Sequence, residues 1–413
     1  RIAVLGLTTP AIPQWLPSEL YEGMYFADGL ETARHWLPII QKKENPDVVI
    51  ALLHAGRVDK EGESNENFAT ALADSVAGID LILYGHDHQQ HAEQRVNPKG
   101  DSIFIINPAN HLDRVSDVSI TLHKKDGKVV SKKVEARFTE LDVYDPDEEF
   151  MKQFAPDATA LEHFVKQPVV NLLTAIRTED ALFGFSDYLA LIHDIQLTIT
   201  GAKISFAAPL SVTQTLPRGE LTMGRMFAFY PYENYLYVMK LSGQEIKDYL
   251  EYSYSHWVNQ MKSASDHILL LEENADSSSR FKTKYPTFNF SSAAGIDYTV
   301  DVSKPAGQRV KIEKMSSGEP FLLDDIYTVA LNSYRGNGGG GLLTKGAGIP
   351  KDQLADRILW STIKEVRTYM IDILRSRGSV LPPLAARPNW HFVPDYWAES
   401  AIVADRQFLF GKQ

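Results

Sequence analysis

Two apolar runs of the sequence lead into histidines, whose imidazoles can bind metal ions or transfer protons. Residues 47–54 end at His54, and residues 80–84 lead into a Gly-His-Asp-His segment that contains His86 and His88. Continuous apolar runs are typical of parallel strands covered on both faces, and ligands of open α/β sheets bind at the carboxyl ends of such strands. Because neutral imidazole is a good ligand for divalent transition metals, the pattern predicts that the three histidines line one metal site.

The alternative for any single histidine is an ordinary hydrogen-bonded residue. Two strand-end positions, one of them with His-x-His spacing, favour metal binding for the three histidines above. Asp87, between the last two, is interpreted as a side chain that supports a ligand or faces solvent. The ordinary interpretation applies to four isolated histidines, which are His91, His111, His193 and His267.

A second candidate site combines aromatic side chains with a glycine run. Tyr232 and Asn234 precede the strand-like residues 235–241, and Tyr334 follows the strand-like residues 326–331. Two rings on separate loops can hold a planar base between them, although ring pairs are also common in protein cores. The run after Tyr334 would let the backbone approach a ligand closely, although a flexible loop is equally typical of such a run. Its candidate contacts are Arg335, Gly336, Asn337, Gly338, Gly339 and Gly340.

Strand and helix patterns alternate around the histidines, which predicts an α/β fold. Helical spacing of apolar residues covers residues 28–43 and 65–76, and Asp126-Gly127 is typical of a hairpin turn. A polar, helix-prone stretch follows, which we interpret as a linker helix, although an ordinary surface helix fits the same pattern. The predicted first domain, linker helix, second domain and C-terminal tail are residues 1–144, 145–167, 168–385 and 386–413.

Three local patterns predict structure in the second domain. Ser242 and Glu245 form the Ser-x-x-Glu pattern of a capping box, which predicts a helix start. Residues 352–376 are predicted to form one long helix, and the polar, Ser-rich residues 261–289 are predicted to form a loop.

Composition limits the class of protein. The 413 residues include 44% hydrophobic and 23% charged residues, which is ordinary globular composition for two domains. The 42 Lys and Arg against 53 Asp and Glu give a net charge of −11, which argues against a nucleic-acid polymer as partner. The chain contains no cysteine, which excludes disulfides and thiolate chemistry. No apolar run reaches the ~18 residues of a membrane-spanning helix.

The motifs together make the chain resemble the 5′-nucleotidase family. The segments around His54 and His86 are similar to the last two metal motifs of calcineurin-like metallophosphoesterases, and the resemblance extends over nearly all of the chain. The branch that it resembles most is the bacterial 2′,3′-cyclic-nucleotide 2′-phosphodiesterases/3′-nucleotidases. The resemblance implies the C-terminal part of a four-layer α/β metallophosphoesterase sandwich, followed by a 5′-nucleotidase C-terminal substrate-binding domain.

The resemblance also implies roles for the candidate metal ligands. Two divalent ions such as Zn²⁺ or Mn²⁺ would be bound, His54 and His86 holding one and His88 the other, where many members have Gln. The family's Asp-x-His and Gly-Asn-His motifs do not occur before His54, and Asn110-His111 follows His88, which is the wrong chain order. The catalytic group is therefore expected upstream of residue 1, and the chain alone is expected to be inactive.

In the second domain, the resemblance implies a nucleoside site. Tyr232 and Tyr334 would stack on the base, and Asn234 would contact its edge. Arg335 fits an Asn-x-Tyr-Arg pattern of the cyclic-nucleotide branch, whereas Gly340 stands where 5′-nucleotidases have Asp, which leaves the ribose contact open.

The function implied is metal-dependent hydrolysis of nucleotide phosphate esters, with a nucleotide or nucleoside as the small-molecule partner. An upstream segment or a partner is expected to cover the incomplete first domain, and the resemblance implies a periplasmic, cell-surface or secreted protein. Two alternatives stay open, a catalytically inactive nucleotide-binding module and a hydrolase of UDP-sugars or sulfur compounds.

Overall fold

A computed structural model describes residues 1–16, 20–57, 66–272, 282–381 and 387–411. The chain forms two compact units, of which the first ends at Lys152 and the second comprises the chain from Gln153 onward together with the short segment that begins at Gln14. Both units contain helices and sheets, so the α/β prediction is confirmed. The predicted boundary at 385/386 lies outside the described residues. None of the helices in the described ranges is long and apolar enough to span a membrane.

The first unit is built on a largely parallel sheet. Its strands are β1 (Ile2–Thr8), β2 (Val48–His54), β3 (Leu81–Tyr84), β4 (Gln90–Val96), β5 (Ser102–Pro108), β6 (Arg114–Lys125) and β7 (Lys128–Glu140). The sheet order is β1-β2-β3-β5-β4, in which only β4 runs antiparallel to its neighbour. β6 and β7 form a separate hairpin. Because β2 and β3 are adjacent and parallel, their carboxyl ends lie at the same edge.

Helices cover one face of this sheet. The helices before residue 147 are α1 (Ile12–Trp15), α2 (Gly29–Glu44) and α3 (Ala69–Ser75). The Asp28 carboxylate accepts hydrogen bonds from the first turn of α2, and Asn45 ends the helix in the left-handed conformation. Ala33 and Leu37 of α2 are buried in a core cluster with residues of β1, β2 and α3. The helical spacing of apolar residues therefore reflects packing against the sheet.

The other face of β1 and β2 is exposed. Ile2 and Val4 are 66% and 58% exposed, and Leu52 of β2 is 52% exposed. β1 also lies at the edge of the sheet. An apolar edge strand of this kind is a pairing surface for another β-segment. The predicted covering segment or partner stays a prediction.

The second unit contains several smaller sheets. Its strands are β8 (Pro168–Leu172), β9 (Ile176–Arg177), β10 (Ile204–Ala207), β11 (Thr215–Leu216), β12 (Gly219–Thr222), β13 (Leu236–Ser242), β14 (Ser292–Ala294), β15 (Ile296–Asp301), β16 (Val310–Met315), β17 (Ile326–Asn332), β18 (Ile358–Ser361), β19 (Val380–Leu381) and β20 (Trp390–Val393). The largest sheet has the order β14-β10-β17-β13-β18, and two three-stranded sheets have the orders β12-β8-β19 and β16-β15-β20. β9 and β11 form a short pair.

Helices and aromatic rings complete the second unit. The later helices are α4 (Glu148–Val165), inside which the two units divide, and then α5 (Asp187–Thr200), α6 (Met223–Phe229), α7 (Gly243–Trp257), α8 (Ser333–Gly336), α9 (Val366–Ser376) and α10 (Asp395–Phe410). Trp257 is fully buried, with Tyr254 stacked at 5.2 Å and Phe290 at 5.1 Å between ring centres. Tyr298 stacks on Trp390 at 5.7 Å. The core of this unit therefore joins residues that lie far apart in the sequence.

The capping box predicted at the start of α7 is confirmed. The Ser242 hydroxyl accepts from the Glu245 amide, and the Glu245 carboxylate accepts from the Ser242 amide. The two bonds satisfy amides that the first helical turn leaves without partners. α7 then buries one face in the core of the second unit.

The predicted single helix over residues 352–376 is wrong. Only Val366–Ser376 is α-helical, while Ile358–Ser361 forms the edge strand β18 and pairs with β13. The Arg357 guanidinium donates to both carboxylate oxygens of Glu245, at 3.0 and 3.2 Å. Strand pairing and this ion pair are tertiary contacts, which override the weak helical preference of the segment.

Two other segments contribute more to the core than their composition predicts. Met261, Ile268 and Leu269, within the predicted polar loop, are almost fully buried in the second unit. Residues 273–281 of that loop, with its serine run, lie outside the described residues. Residues 387–411, within the predicted tail, form β20 and α10, and β20 pairs with β15.

His193 has the ordinary structural role that its isolation in the sequence predicts. It lies on α5, and its Nδ1 is 2.9 Å from the Ser205 hydroxyl while its Nε2 is 3.3 Å from that of Ser292. Burial lowers the pKa of His193 to about 3. The imidazole is therefore neutral in the folded protein at physiological pH.

Acidification is expected to destabilise the second unit through His193. The unfolded state takes up a proton as the pH falls below about 6.5, whereas folded His193 stays neutral down to about pH 3. The free energy of unfolding should therefore fall by at most about 1.4 kcal/mol per pH unit across that window. Urea unfolding of His193→Asn should show a smaller loss between about pH 7 and about pH 5. The exposed His391→Asn is the control, and equal slopes for all three proteins would contradict this expectation.

Candidate functional site

The first part of the candidate site lies at the carboxyl ends of β2 and β3. Leu53 pairs with Tyr84 in the parallel ladder, so the segments that follow the two strands are neighbours. The imidazoles of His54 and His86 lie 5.0 Å apart between ring centres, with an angle of 58° between the ring planes. The structure thus brings together two of the three predicted ligands.

The backbone of the Gly-His-Asp-His segment has an uncommon conformation. His86 and His88 have φ angles of 79° and 59°, in the left-handed region that few residues other than glycine adopt. The Asp87 amide donates to the Gly85 carbonyl at 3.1 Å, which closes a tight turn. Such conformations persist only where the surroundings impose them, and they are concentrated at functional sites.

Asp87 is the side chain that imposes this geometry. Its carboxylate accepts from the backbone amides of Arg57 at 2.8 Å and Gln89 at 3.1 Å. It also accepts from the Asn107 side-chain amide at 2.6 Å. These donors follow β2 and β3 or lie near the end of β5, so one carboxylate joins three strand ends. Asp87 therefore holds the turn that carries His86 and His88, and its predicted role beside metal ligands stays a prediction.

Two neighbours of the histidines were not predicted from sequence. The Glu66 carboxylate lies 2.8 Å from Nε2 of His86. The Asn110 side-chain amide lies 3.2 Å from Nδ1 of His88. Only the folded chain brings them close, since Glu66 precedes β3 and Asn110 follows β5.

The geometry of the histidine pair is compatible with metal binding, which stays a prediction. Burial, and next the neighbouring His86, lower the pKa of His54, which favours the neutral imidazole that binds metals. Two imidazoles bound to one ion at ~2.1 Å would have ring centres about 5 Å apart, which fits the observed pair. A site needs three or four protein donors. In the part of the chain that the structure describes, no three or more His, Cys, Asp or Glu side chains are grouped to hold a metal ion.

The second part of the candidate site is an aromatic cluster in the second unit. Tyr232 is 38% exposed, and Tyr334 is half-buried. Each ring contacts Phe288, the first at 5.9 Å and the second at 6.3 Å between ring centres. Phe288 was not predicted, because it lies in the segment interpreted as a polar loop.

The segment that carries Tyr232 is held by buried polar contacts. Burial raises the pKa of Tyr230 to about 12, while side-chain hydrogen bonds with Asn234 and Asn332 act in the opposite direction. The Arg367 guanidinium donates to the Tyr230 carbonyl at 2.9 Å. Asn234 is only 9% exposed and is engaged with Tyr230. Its predicted contact with a base stays a prediction.

Arg335 joins the glycine run to the turn that carries Phe288. The residue is 2% exposed, and its guanidinium donates to the carbonyls of Phe288 at 2.6 Å and Gly339 at 2.9 Å. It also donates to the side-chain oxygen of Asn289 at 3.1 Å, which accepts from the Tyr334 hydroxyl at 3.1 Å. Arg335 therefore fixes the aromatic cluster, and a direct ligand contact stays a prediction.

Two glycines of the run allow this close packing. A Cβ at Gly339 would lie 2.4 Å from the Tyr334 ring. Gly340 has a φ of +72°, and a Cβ there would lie 2.1 Å from Arg335 and 2.5 Å from Asn289. Both glycines are thus required by the fold around Arg335, whether or not they also contact a ligand.

The first part of the run forms a turn against the sheet. Gly336 is buried, and a Cβ there would lie 2.3 Å from the Tyr237 ring. The amides of Asn337 and Gly338 donate to the carbonyls of residues 333 and 335, both at 2.9 Å. Their predicted substrate contacts are not tested by this geometry.

Replacing Arg335 should destabilise the second unit. Arg335→Ala removes the donor to the carbonyls of Phe288 and Gly339 and one of the two donors to the Asn289 side chain, so we expect a loss of about 2–4 kcal/mol in the free energy of unfolding, measured by urea denaturation. The exposed Arg375→Ala is the matched control and should change stability by less than about 0.5 kcal/mol. An unchanged stability of Arg335→Ala, with ligand binding lost, would mean that Arg335 acts mainly on a ligand.

The aromatic cluster and the glycine run lie in a segment that matches a known protein family. Residues 175–345 match the family model described as the 5′-nucleotidase C-terminal domain. This range contains all members of the aromatic cluster and the glycine run.

Two relatives align with most of the chain. The trifunctional nucleotide phosphoesterase protein YfkN of Bacillus subtilis is 26% identical over 95% of this chain and 28% of its own length. A Haemophilus influenzae 2′,3′-cyclic-nucleotide 2′-phosphodiesterase/3′-nucleotidase is 26% identical over 95% of this chain and 65% of its own length. The chain thus spans less than two thirds of either relative.

Solved structures share the fold. A candidate 5′-nucleotidase from Staphylococcus aureus covers 95% of this chain with a TM-score of 0.72 and 22% identity, and 72% of that chain is covered. The 5′-nucleotidase precursor of Thermus thermophilus covers 96% of this chain with a TM-score of 0.58 and 20% identity, and 73% of that chain is covered. The predicted fold family is therefore confirmed.

Proposed function

Because residues 175–345 form a 5′-nucleotidase C-terminal domain and the chain is related to nucleotide phosphoesterases, we propose that this protein hydrolyses phosphate esters of nucleotides. The observation that carries the proposal is the aromatic cluster of Tyr232, Phe288 and Tyr334 within that domain. Aromatic faces bind bases by stacking, whatever the base. The second unit then binds the nucleoside part of the substrate.

The substrate class proposed is 2′,3′-cyclic nucleotides and 3′-nucleotides. Its support is the Haemophilus 2′,3′-cyclic-nucleotide 2′-phosphodiesterase/3′-nucleotidase, which aligns with 95% of the chain. Hydrolysis would open the cyclic diester at the 2′ oxygen and then release phosphate from the 3′ position. We also propose a location in the periplasm or outside the cell. Its support is the Thermus structure, which is described as a 5′-nucleotidase precursor. Cell fractionation tests that location.

The proposed cofactor is a divalent metal such as Mn²⁺ or Zn²⁺, with His54 and His86 as donors and His88 as a further candidate ligand. A divalent ion polarises a phosphate ester as a Lewis acid. Asp87 would hold the histidine segment in place, and the lowered pKa of His54 would keep its imidazole ready to bind. The described residues supply two grouped imidazoles and no set of three donors. We therefore propose that the metal takes further donors besides this pair.

An activity assay tests this proposal. Phosphate release from 2′,3′-cyclic AMP, 3′-AMP and 5′-AMP should be measured with Mn²⁺, with Zn²⁺ and with a chelator. Turnover is expected to depend on the added metal, to be lost with the chelator and to be faster with the first two substrates than with 5′-AMP. An intact phosphoesterase of the same family serves as the positive control. Turnover that persists with the chelator would contradict the metal dependence, and faster turnover of 5′-AMP would contradict the substrate class.

Nucleoside binding tests the second unit separately. Tyr334→Ala removes a stacking face worth ~1–3 kcal/mol, so adenosine binding should weaken roughly 5- to 150-fold in isothermal titration calorimetry. Tyr334→Phe keeps the face and loses only the hydroxyl that donates to Asn289, so it is the matched control and should bind nearly as well as the wild type. Equal binding by the wild type and Tyr334→Ala would argue against a base site at this residue.

A further inference from the structure

Phe288 contacts both tyrosines of the aromatic cluster at steep angles. Its ring plane makes an angle of 68° with that of Tyr232 and of 79° with that of Tyr334. The Phe288 ring therefore makes an edge contact with each tyrosine and is not stacked on either of them. A base between the two tyrosines would lie next to the one ring that both of them contact.

Hydrogen bonds fix Phe288 relative to Tyr334. The turn Thr287–Asn289 receives two bonds from Arg335, at the Phe288 carbonyl and at the Asn289 side chain. The Tyr334 hydroxyl donates to the same Asn289 oxygen. Both rings are thus carried by one hydrogen-bonded unit, which is pre-organised before any ligand binds.

The segment that carries Tyr232 is tied to the same unit. The Tyr235 amide donates to the Ser333 hydroxyl at 3.1 Å, and the Ser333 amide donates to the Tyr235 carbonyl at 2.7 Å. Ser333 immediately precedes Tyr334 in the sequence. All three rings are consequently held by segments that bond to one another, so the spacing of the cluster is set by the fold.

We propose that Phe288 is a specificity-determining residue that closes one side of the slot between Tyr232 and Tyr334 and favours purines over pyrimidines. The inference rests on the proposed function, because it requires a base in that slot. A purine extends further from the sugar than a pyrimidine does, so it reaches the Phe288 ring and gains an aromatic edge contact. A pyrimidine leaves a gap there and gains few such contacts. One aromatic contact of this kind changes affinity by about 2- to 10-fold.

Binding of adenosine and uridine to the full chain, measured by isothermal titration calorimetry, tests this proposal. Phe288→Ala should weaken adenosine binding by about 2- to 10-fold and uridine binding by less than about twofold. Phe288→Leu keeps much of the apolar volume and should show a smaller loss in the same direction. Phe408→Ala removes a ring that is 49% exposed on α10, contacts His267 and lies outside the cluster, so it should bind like the wild type. Circular dichroism of each variant establishes that it is folded.

The outcomes separate the two proposals. Equal losses for adenosine and uridine, no loss, or tighter adenosine binding by folded Phe288 variants would overturn the role of Phe288 while nucleoside binding by the wild type upheld the site. Absence of nucleoside binding by the wild type would overturn the site and this inference together. If Phe288→Ala fails to fold, Phe288→Leu decides, since a purine-selective loss supports the inference and an equal or absent loss overturns it.

Discussion

The buried guanidinium of Arg335 is the interaction on which the candidate nucleoside site depends. Burying a charged group is costly unless it is hydrogen-bonded, and here the two terminal nitrogens of the guanidinium bond to carbonyls and an amide oxygen of two separate segments. Those bonds bring the Phe288 turn against the glycine run, and they leave no room for side chains at Gly339 and Gly340. The arrangement of the rings, the composition of the loop and the proposed recognition of a base thus follow from one charge in an apolar region.

In the first unit, the negatively charged side chain of Asp87 plays a part similar to that of Arg335. The carboxylate of Asp87 receives two backbone amides and one side-chain amide from around three strand ends. It thereby holds His86 and His88 in backbone conformations that an isolated peptide would rarely adopt. In both units a charged side chain collects local backbone groups, and the residues proposed to meet the substrate lie beside it. A substitution at either charge would therefore disturb several of those residues at once.

The sequence predicts those parts of the structure whose cause is local. Apolar runs ending at His54 and before His86 indicate adjacent strands, and the Ser242 capping box marks a helix start because its bonds span only three residues. The contacts of Phe288 with Tyr334 and of Glu66 with His86 are not predicted, because each joins residues that lie far apart in the sequence. The segment around Ile358 is misassigned for the same reason, since its pairing with β13 is a tertiary contact that no local pattern contains.

Strands β18 and β20 limit where the second unit can be cut and joined to another protein. The segment matched to the 5′-nucleotidase C-terminal domain ends at residue 345, yet β18 extends its largest sheet and β20 extends another. Trp390 of β20 stacks on Tyr298 inside the matched segment. A graft or recombination that broke the chain at residue 345 would leave an open sheet edge and a cavity the size of an indole. The segment that must be transferred as a folded domain is therefore longer than the segment that matches the family model. It includes β20 and α10, within residues 390–410.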